Sequence, residues 1–388
     1  MSRHSARTGP SLVATSLGTG IARAVCQPPR GEQFRGASAS AAAAAAARKP
    51  LAGRASVLRG EGTIEMVARA QALEREGRDI VHMEVGDPDF SSPAHVTAAA
   101  VAALQEGATH YEPAGGRPSL REAAAAYLRR TRPGLAADPA NVLCMPGGKP
   151  VIFHTIAALC EPGDEVIYPD PGFPAYETTI EWAGATPVPL RLQESTGFRF
   201  DHSELRRLAS PRTKLIIVCS PGNPTGGILS AGDLDCVAKV AQSCGAWVLS
   251  DEIYSRLVFE GSHDSVATRE GMLERTVVLD GCSKAYAMTG WRVGFGLFPA
   301  PLVEPARNLA INSWTCLPPF VAAGAEAALS GPDGDSDAMR DAFRARRDLL
   351  FERLNAIPGI DVAVRPAGAM YLLANVSGTG LSARAFAE

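Results

Sequence analysis

The sequence has no C-x-x-C pair, although 8 cysteines (Cys26, Cys144, Cys160, Cys219, Cys236, Cys244, Cys282 and Cys316) are scattered over its 388 residues. Its 7 histidines never stand at metal-ligand spacing; there is no H-E-x-x-H, and no histidine lies close to a cysteine. A disulfide scaffold and a zinc site are therefore poor readings, and reduced thiols in an intracellular compartment fit better. No run approaches the ~18 consecutive apolar residues of a membrane span. Charge of one sign is also scarce. A net charge of -3 supplies no electrostatic reason for nucleic acid or an anionic membrane to be the main partner. What is present is an ordinary globular composition, 46% hydrophobic and 20% charged, which excludes wholesale disorder. At ~150 residues per domain, the length suggests two domains, one larger than the other.

Positive charge is concentrated at the start. Residues 1–60 hold Arg3, Arg7, Arg23, Arg30, Arg35, Arg48, Lys49, Arg54 and Arg59 against the single acid Glu32, and include the run Ala41 to Ala47. An Arg-rich, Ser-rich, acid-poor leader has the composition of an organelle transit peptide. The alternative is an untargeted, disordered low-complexity tail, which would leave the protein in the cytoplasm. Nothing in the leader separates mitochondrion from plastid.

From Glu61 onward the pattern is globular. Ile64, Met66, Val67, Ala70 and Leu73 recur at helical spacing, and Ile80 to Val85 reads as a short strand. Helices are expected over 94–106, 118–130, 150–160, 174–183, 231–244 and 300–312. Strands are expected over 142–145, 165–168, 186–190, 214–219, 246–250, 275–280 and 291–298. Alternation of this kind predicts βαβ units and an α/β, doubly wound, mostly parallel sheet. Asp335 to Leu354 reads as a charged helix, and 360–364 and 369–373 as two further strands of a smaller α+β piece.

In such a sheet, ligands bind beyond the carboxyl ends of the strands. Leu215 to Val218 is followed by Asn223, Ala246 to Leu249 by Asp251 and Tyr254, and Val277 to Leu279 by Lys284. An amine, a carboxylate and hydrogen-bonding groups at one crevice suit pyridoxal phosphate. A desolvated lysine attacks the aldehyde, and a carboxylate keeps the pyridine nitrogen protonated so that the ring can act as an electron sink. The phosphate needs backbone N–H groups at a helix start and a cation. Met145-Pro146-Gly147-Gly148-Lys149-Pro150 supplies the first and Arg292 the second. Taken singly, each residue has an ordinary explanation: a solvated lysine, an N-cap aspartate, a turn at Asn223 to Gly226, packing aromatics at Phe173 and Tyr254. The set in this order, each at a strand end, does not.

The blocks Gly86-Asp87-Pro88-Asp89-Phe90, Ser220 to Gly226, Ser250-Asp251-Glu252-Ile253-Tyr254 and Ser283 to Arg292 resemble the signatures of the class I/II pyridoxal-phosphate-dependent aminotransferases, nearest to the aspartate-aminotransferase-like subgroup. The resemblance runs from about Gly62 to the last residue. It implies a fold-type-I large domain over 96–334 and a small domain built from 61–95 and 335–388. Lys284 would be the Schiff-base lysine and proton carrier, and Asp251 the partner of the ring nitrogen. Asn223 and Tyr254 would bond the ring oxygen, and Phe173 would stack on the ring. Gly148, Lys149 and Arg292 would hold the phosphate. Tyr111 would reach the phosphate of a partner subunit, which implies a homodimer with shared sites. Gly86, Phe173 and Asn223 would border the substrate, and Lys149 could also meet a distal carboxylate.

Two departures stand out. Gly281 occupies a place where many relatives have a phosphate-binding serine. The family's arginine for the substrate α-carboxylate lies in a later strand, and no residue here takes that role, so the sequence reads as ending inside the small domain. The expected reaction is transamination, with aspartate and 2-oxoglutarate as first guess. Rivals are a β-lyase on the same scaffold, and an impaired or regulatory protein with this fold. A nucleotide-binding reading of Gly378-x-Gly380-x-x-Ala383 fails, because no βαβ unit follows it.

Overall fold

Every residue of the strand Thr213–Cys219 is apolar apart from Thr213 and Lys214, and Leu215, Ile216, Ile217 and Val218 are all buried. A run of this kind belongs in the middle of a parallel sheet covered on both faces. The computed structural model, which describes residues 49–58, 60 and 62–387, places it there. The strands are β1 (Val142–Met145), β2 (Glu165–Asp170), β3 (Thr186–Gln193), β4 (Arg199–Phe200), β5 (Thr213–Cys219), β6 (Trp247–Asp251), β7 (Thr276–Gly281) and β8 (Gly294–Leu297). They form one sheet in the order β1-β8-β7-β6-β5-β2-β3-β4. The pairs β7·β6, β6·β5, β5·β2 and β2·β3 are parallel. Strand β8 runs antiparallel between β7 and β1, and β4 pairs antiparallel with β3.

Alternation along the strands sorts the core into layers. Leu215 and Ile217 pack with Val151, Ile156, Tyr176 and Leu302 on one face. Ile216 and Val218 pack with Leu205, Leu234 and Val237 on the other. A third cluster joins Leu120, Tyr127, Ala322 and Ala325 to Val278 and Phe295. The helix Ala231–Cys244 begins with a Ser230–Asp233 capping box and ends at Gly245 in the left-handed conformation, the usual start and stop signals.

Three expectations fail. Ile80 to Val85 is not a strand: Val81 is 81% and Met83 70% exposed, and no neighbouring strand pairs with them among the described residues. Segment 360–364 makes only the single bridge Asp361–Asn375, and 369–373 makes none among the described residues, the bridge Val258–Gly368 falling just before it. A short apolar run becomes a strand only beside another edge. The helix Pro319–Ser330 was not expected, because its alanines lack an amphipathic stripe. Its small residues instead allow close packing, and at Gly324 a Cβ would press on the Trp291 ring. Strand β8 begins three residues late, since Arg292 turns the chain with φ 57°. The leader through residue 48 lies outside the described residues. Gly53–Ser56 forms a 3-10 turn, with the Arg54 guanidinium 5.8 Å from the Trp182 ring.

Beneath the carboxyl ends of β6 and β7 lies a buried ion network. Arg132, 1% exposed, donates from Nε to Glu252 at 2.6 Å and from Nη2 to Asp280. Glu252 also accepts from the hydroxyls of Ser250 (2.7 Å) and Ser265 (2.6 Å) and lies 2.8 Å from His263 Nε2. Burial works to raise the Glu252 carboxyl, but Arg132 and His263 hold it down at about 2. Removing the cation would strand two buried carboxylates. We expect Arg132→Met to lower unfolding stability by ~3–5 kcal/mol in urea titrations. In the parent protein the Glu252 contribution is present above its ordinary range near 4.5 and lost as pH falls toward 2.

Candidate active site

Strand register brings the chemistry together. Cys219 pairs with Asp251 across β5 and β6, and Asp251 with Leu279 across β6 and β7, so three chains leave the sheet side by side. Beyond them lies a cavity of about 380 Å³, lined by Asp251, Tyr254, Asn223, Lys284, Arg292, Gly148, Lys149, Phe173 and Gly86. These are all the sequence-predicted site residues except Tyr111, which lies outside this lining and is 88% exposed.

Asp251 is 4% exposed. Its Oδ2 accepts from the Tyr176 hydroxyl at 2.7 Å and its Oδ1 from the Ile253 N–H at 3.2 Å. Burial pushes its carboxyl up to about 6, against these two hydrogen bonds. No cation bonds it among the described residues. A buried acid in this state gains most from a ligand that brings a cationic N–H.

Lys284 follows β7 on the short helix Cys282–Ala285, and its Nζ donates to the carbonyl of Gly86. Burial pulls its ammonium down to about 8; Asp87 opposes this and Arg292 adds to it. Near neutral pH roughly a tenth of the amine is therefore neutral, far more than for an ordinary lysine, and that fraction can attack an aldehyde.

The anion cradle is built from backbone. Gly147 has φ +94°, and the Arg292 guanidinium occupies the space that a Cβ there would need. Gly148 caps the helix Lys149–Leu159, so a helix start lies beside a guanidinium, which suits a phosphate. Arg292 is itself held by a 2.8 Å bond from Nη1 to the Thr289 carbonyl. Phe173 meets Tyr176 edge-on, with centroids 5.7 Å apart, and Lys149 Nζ stands 5.5 Å from its ring. A buried acid awaiting a cation, a poised amine and an anion cradle in one cavity fit pyridoxal 5′-phosphate. At Gly281, a Cβ would come within 2.8 Å of the Gly294 Cα. The absent serine hydroxyl is thus explained by the close approach of β7 and β8.

Sequence reasoning missed Tyr176, Tyr371, Glu84, Asp87 and Thr289, which also line the cavity. Asp87 and Thr289, joined by a 2.5 Å hydrogen bond, lie inside two of the signature blocks. Tyr371 lies in the segment 369–373, whose composition reads as a strand. Nothing in the spacing marks Tyr176. Trapping of Lys284 with a simple aldehyde and borohydride should rise with pH along a curve centred near 8. Arg292→Gln should move that midpoint upward, because a neighbouring cation that disfavours the ammonium is gone.

Residues 78–388 match the family model for aminotransferase class I and II. The chain is 39% identical over 320 residues to an arginine–pyruvate transaminase of Pseudomonas aeruginosa, covering 82% of this chain and 81% of the relative. It is 36% identical to an aspartate aminotransferase of Geobacillus stearothermophilus, over 84% of this chain and 83% of that one. Among solved structures, the Thermus thermophilus aspartate aminotransferase with maleate superposes with a TM-score of 0.81 at 36% identity, over 85% of this chain and 86% of that one. With the fold, the lysine and its cavity in agreement, the chain belongs to the class I and II aminotransferases, as a pyridoxal-phosphate-dependent enzyme of the aspartate-aminotransferase-like subgroup.

Proposed function

We propose that the protein moves the amino group of an L-amino acid to a 2-oxo acid, with aspartate and 2-oxoglutarate as its pair. The observation that carries this reading is the desolvated amine of Lys284 in the same cavity as buried Asp251 and the Gly147–Arg292 cradle. Bound pyridoxal 5′-phosphate supplies an aldehyde for the amine and an electron sink for the substrate carbon. The chain's own residues do the rest. Asp251 keeps a cationic N–H paired in a buried place, and Arg292 with the helix start at Gly148 anchors the phosphate. Asn223 and Tyr254 offer hydrogen bonds to the ring oxygen, and Phe173 covers the ring face. Lys284 Nζ, when not covalently engaged, carries the proton to and from the substrate α-carbon as general base and acid.

Lys149 supports an acidic substrate, since its ammonium stands over Phe173 at the cavity wall. A second reading rests on Glu84. It lines the same cavity, and His82 at 2.7 Å holds its carboxyl below the usual range. An anion there favours a donor with a cationic side chain, as the name of the Pseudomonas relative would suggest. We further read the protein as a homodimer in which exposed Tyr111 reaches the partner's phosphate. The arginine-rich leader we read as an organelle address.

Amino-group transfer from aspartate and from arginine, each with 2-oxoglutarate and with pyruvate, tests the function. Aspartate with 2-oxoglutarate should give the highest kcat/KM, and Lys149→Met should raise KM for aspartate. Arginine leading, with the loss following Glu84→Gln, would establish the second reading. Lys284→Ala should lower kcat by roughly 10²–10⁴-fold or more. Pyruvate and ammonia formed without an oxo-acid acceptor would instead identify a lyase.

A further inference from the structure

Tyr254 is 3% exposed, and among the described residues its hydroxyl has one hydrogen-bond partner, the hydroxyl of Tyr371. The two rings pack edge-on, with centroids 5.5 Å apart and planes at 81°. Tyr371 comes from the far end of the chain, on a loop pinned to the segment after β6. The Ala369 N–H donates to the Leu257 carbonyl at 2.8 Å, and Gly368 bridges to Val258. On its other side the Tyr371 hydroxyl lies against Gly86, where it fills the space a Cβ would take. The carbonyl of that same glycine receives the Lys284 amine. One phenol therefore touches both Tyr254 and the resting place of the lysine.

We propose that Tyr371 is a positioning residue for Tyr254, its hydroxyl orienting the Tyr254 phenol and strengthening it as a donor to the ring oxygen of the cofactor. This rests on the reading of the cavity given above. Two phenols that share one hydrogen bond use only one proton between them. Once Tyr254 gives its proton to a ligand oxygen, Tyr371 must donate to Tyr254, and the direction of the chain of hydrogen bonds is set. A phenol that accepts a hydrogen bond donates more strongly, so bonds in such a chain reinforce one another. A better-stabilised ring oxygen anion holds the neighbouring Schiff-base proton less tightly, and the Schiff-base nitrogen titrates lower. The other charged and titratable groups here are Asp251 and Cys219 beside the tyrosines, and Asp87 and Arg292 facing Lys284. Loss of one hydroxyl leaves all of them in place.

Tyr371→Phe keeps the ring and its packing and removes only the oxygen. The test is a spectrophotometric pH titration of the Lys284 Schiff base in the cofactor-loaded parent, Tyr371→Phe, Tyr254→Phe and the double variant. The Tyr371→Phe midpoint should rise by roughly half a unit. Tyr254→Phe should shift it further in the same direction, and the double variant should match Tyr254→Phe alone. An unchanged midpoint in Tyr371→Phe overturns the proposal, as does a shift that adds in full to that of Tyr254→Phe. A parent protein that forms no Schiff-base band with pyridoxal phosphate would remove the cavity reading itself, and this proposal with it.

Discussion

The register between β6 and β7 sets Asp251 beside Leu279, and the placement of acid and amine depends on that pairing. Asp251 ends its strand at the level where β7 has two residues left before the turn that carries Lys284. Because side chains alternate across a strand, a slip of one residue would send the carboxylate to the opposite face of the sheet. The acid and the amine would then open on different sides. Parallel pairing with β5 adds the third chain end, which leads to Asn223.

That register is reinforced from beneath. Glu252 directly follows Asp251 and Asp280 directly precedes Gly281, and Arg132 bonds both. The same guanidinium thus ties the two strand ends just behind the residues that face the cavity. Ser255 adds a 2.8 Å bond to Asp280, and the closing of β7 against β8 at Gly281 and Gly294 leaves no room for a side chain between them. The acid and the amine are held by a sheet, an ion network and a backbone contact.

Most of this was legible in the chain. The buried strands announce themselves through uninterrupted apolar runs such as Leu215 to Val218, and the residues after each run are those that line the cavity. What could not be read depends on contacts distant in sequence. Ile80 to Val85 and 369–373 have the composition of strands but no edge to join, and composition does not reveal the missing neighbour. The helix Pro319–Ser330 hides because alanine carries little periodic signal, while its close packing depends on the opposite surface. Tyr176 and Tyr371 entered the site through tertiary packing: each is ordinary in its own segment and becomes significant only against Asp251 or Tyr254.

The antiparallel strand β8 has a consequence of its own. It is zipped between β7 and β1, its lead-in carries Arg292, and β1 ends at the glycines of the anion cradle. One end of the cavity is therefore as stiff as the sheet. The opposite wall is built mostly of irregular chain, Glu84 to Asp87 and the loop bearing Tyr371, with Thr63 from the start of the helix Gly62–Arg75. Apart from Tyr371 and Asp87, which touch the chemistry through Tyr254 and Lys284, side chains along that softer rim can be exchanged without disturbing the anchorage, so selectivity can diverge between close relatives. A scaffold divided in this way lends itself to redesign at the rim alone.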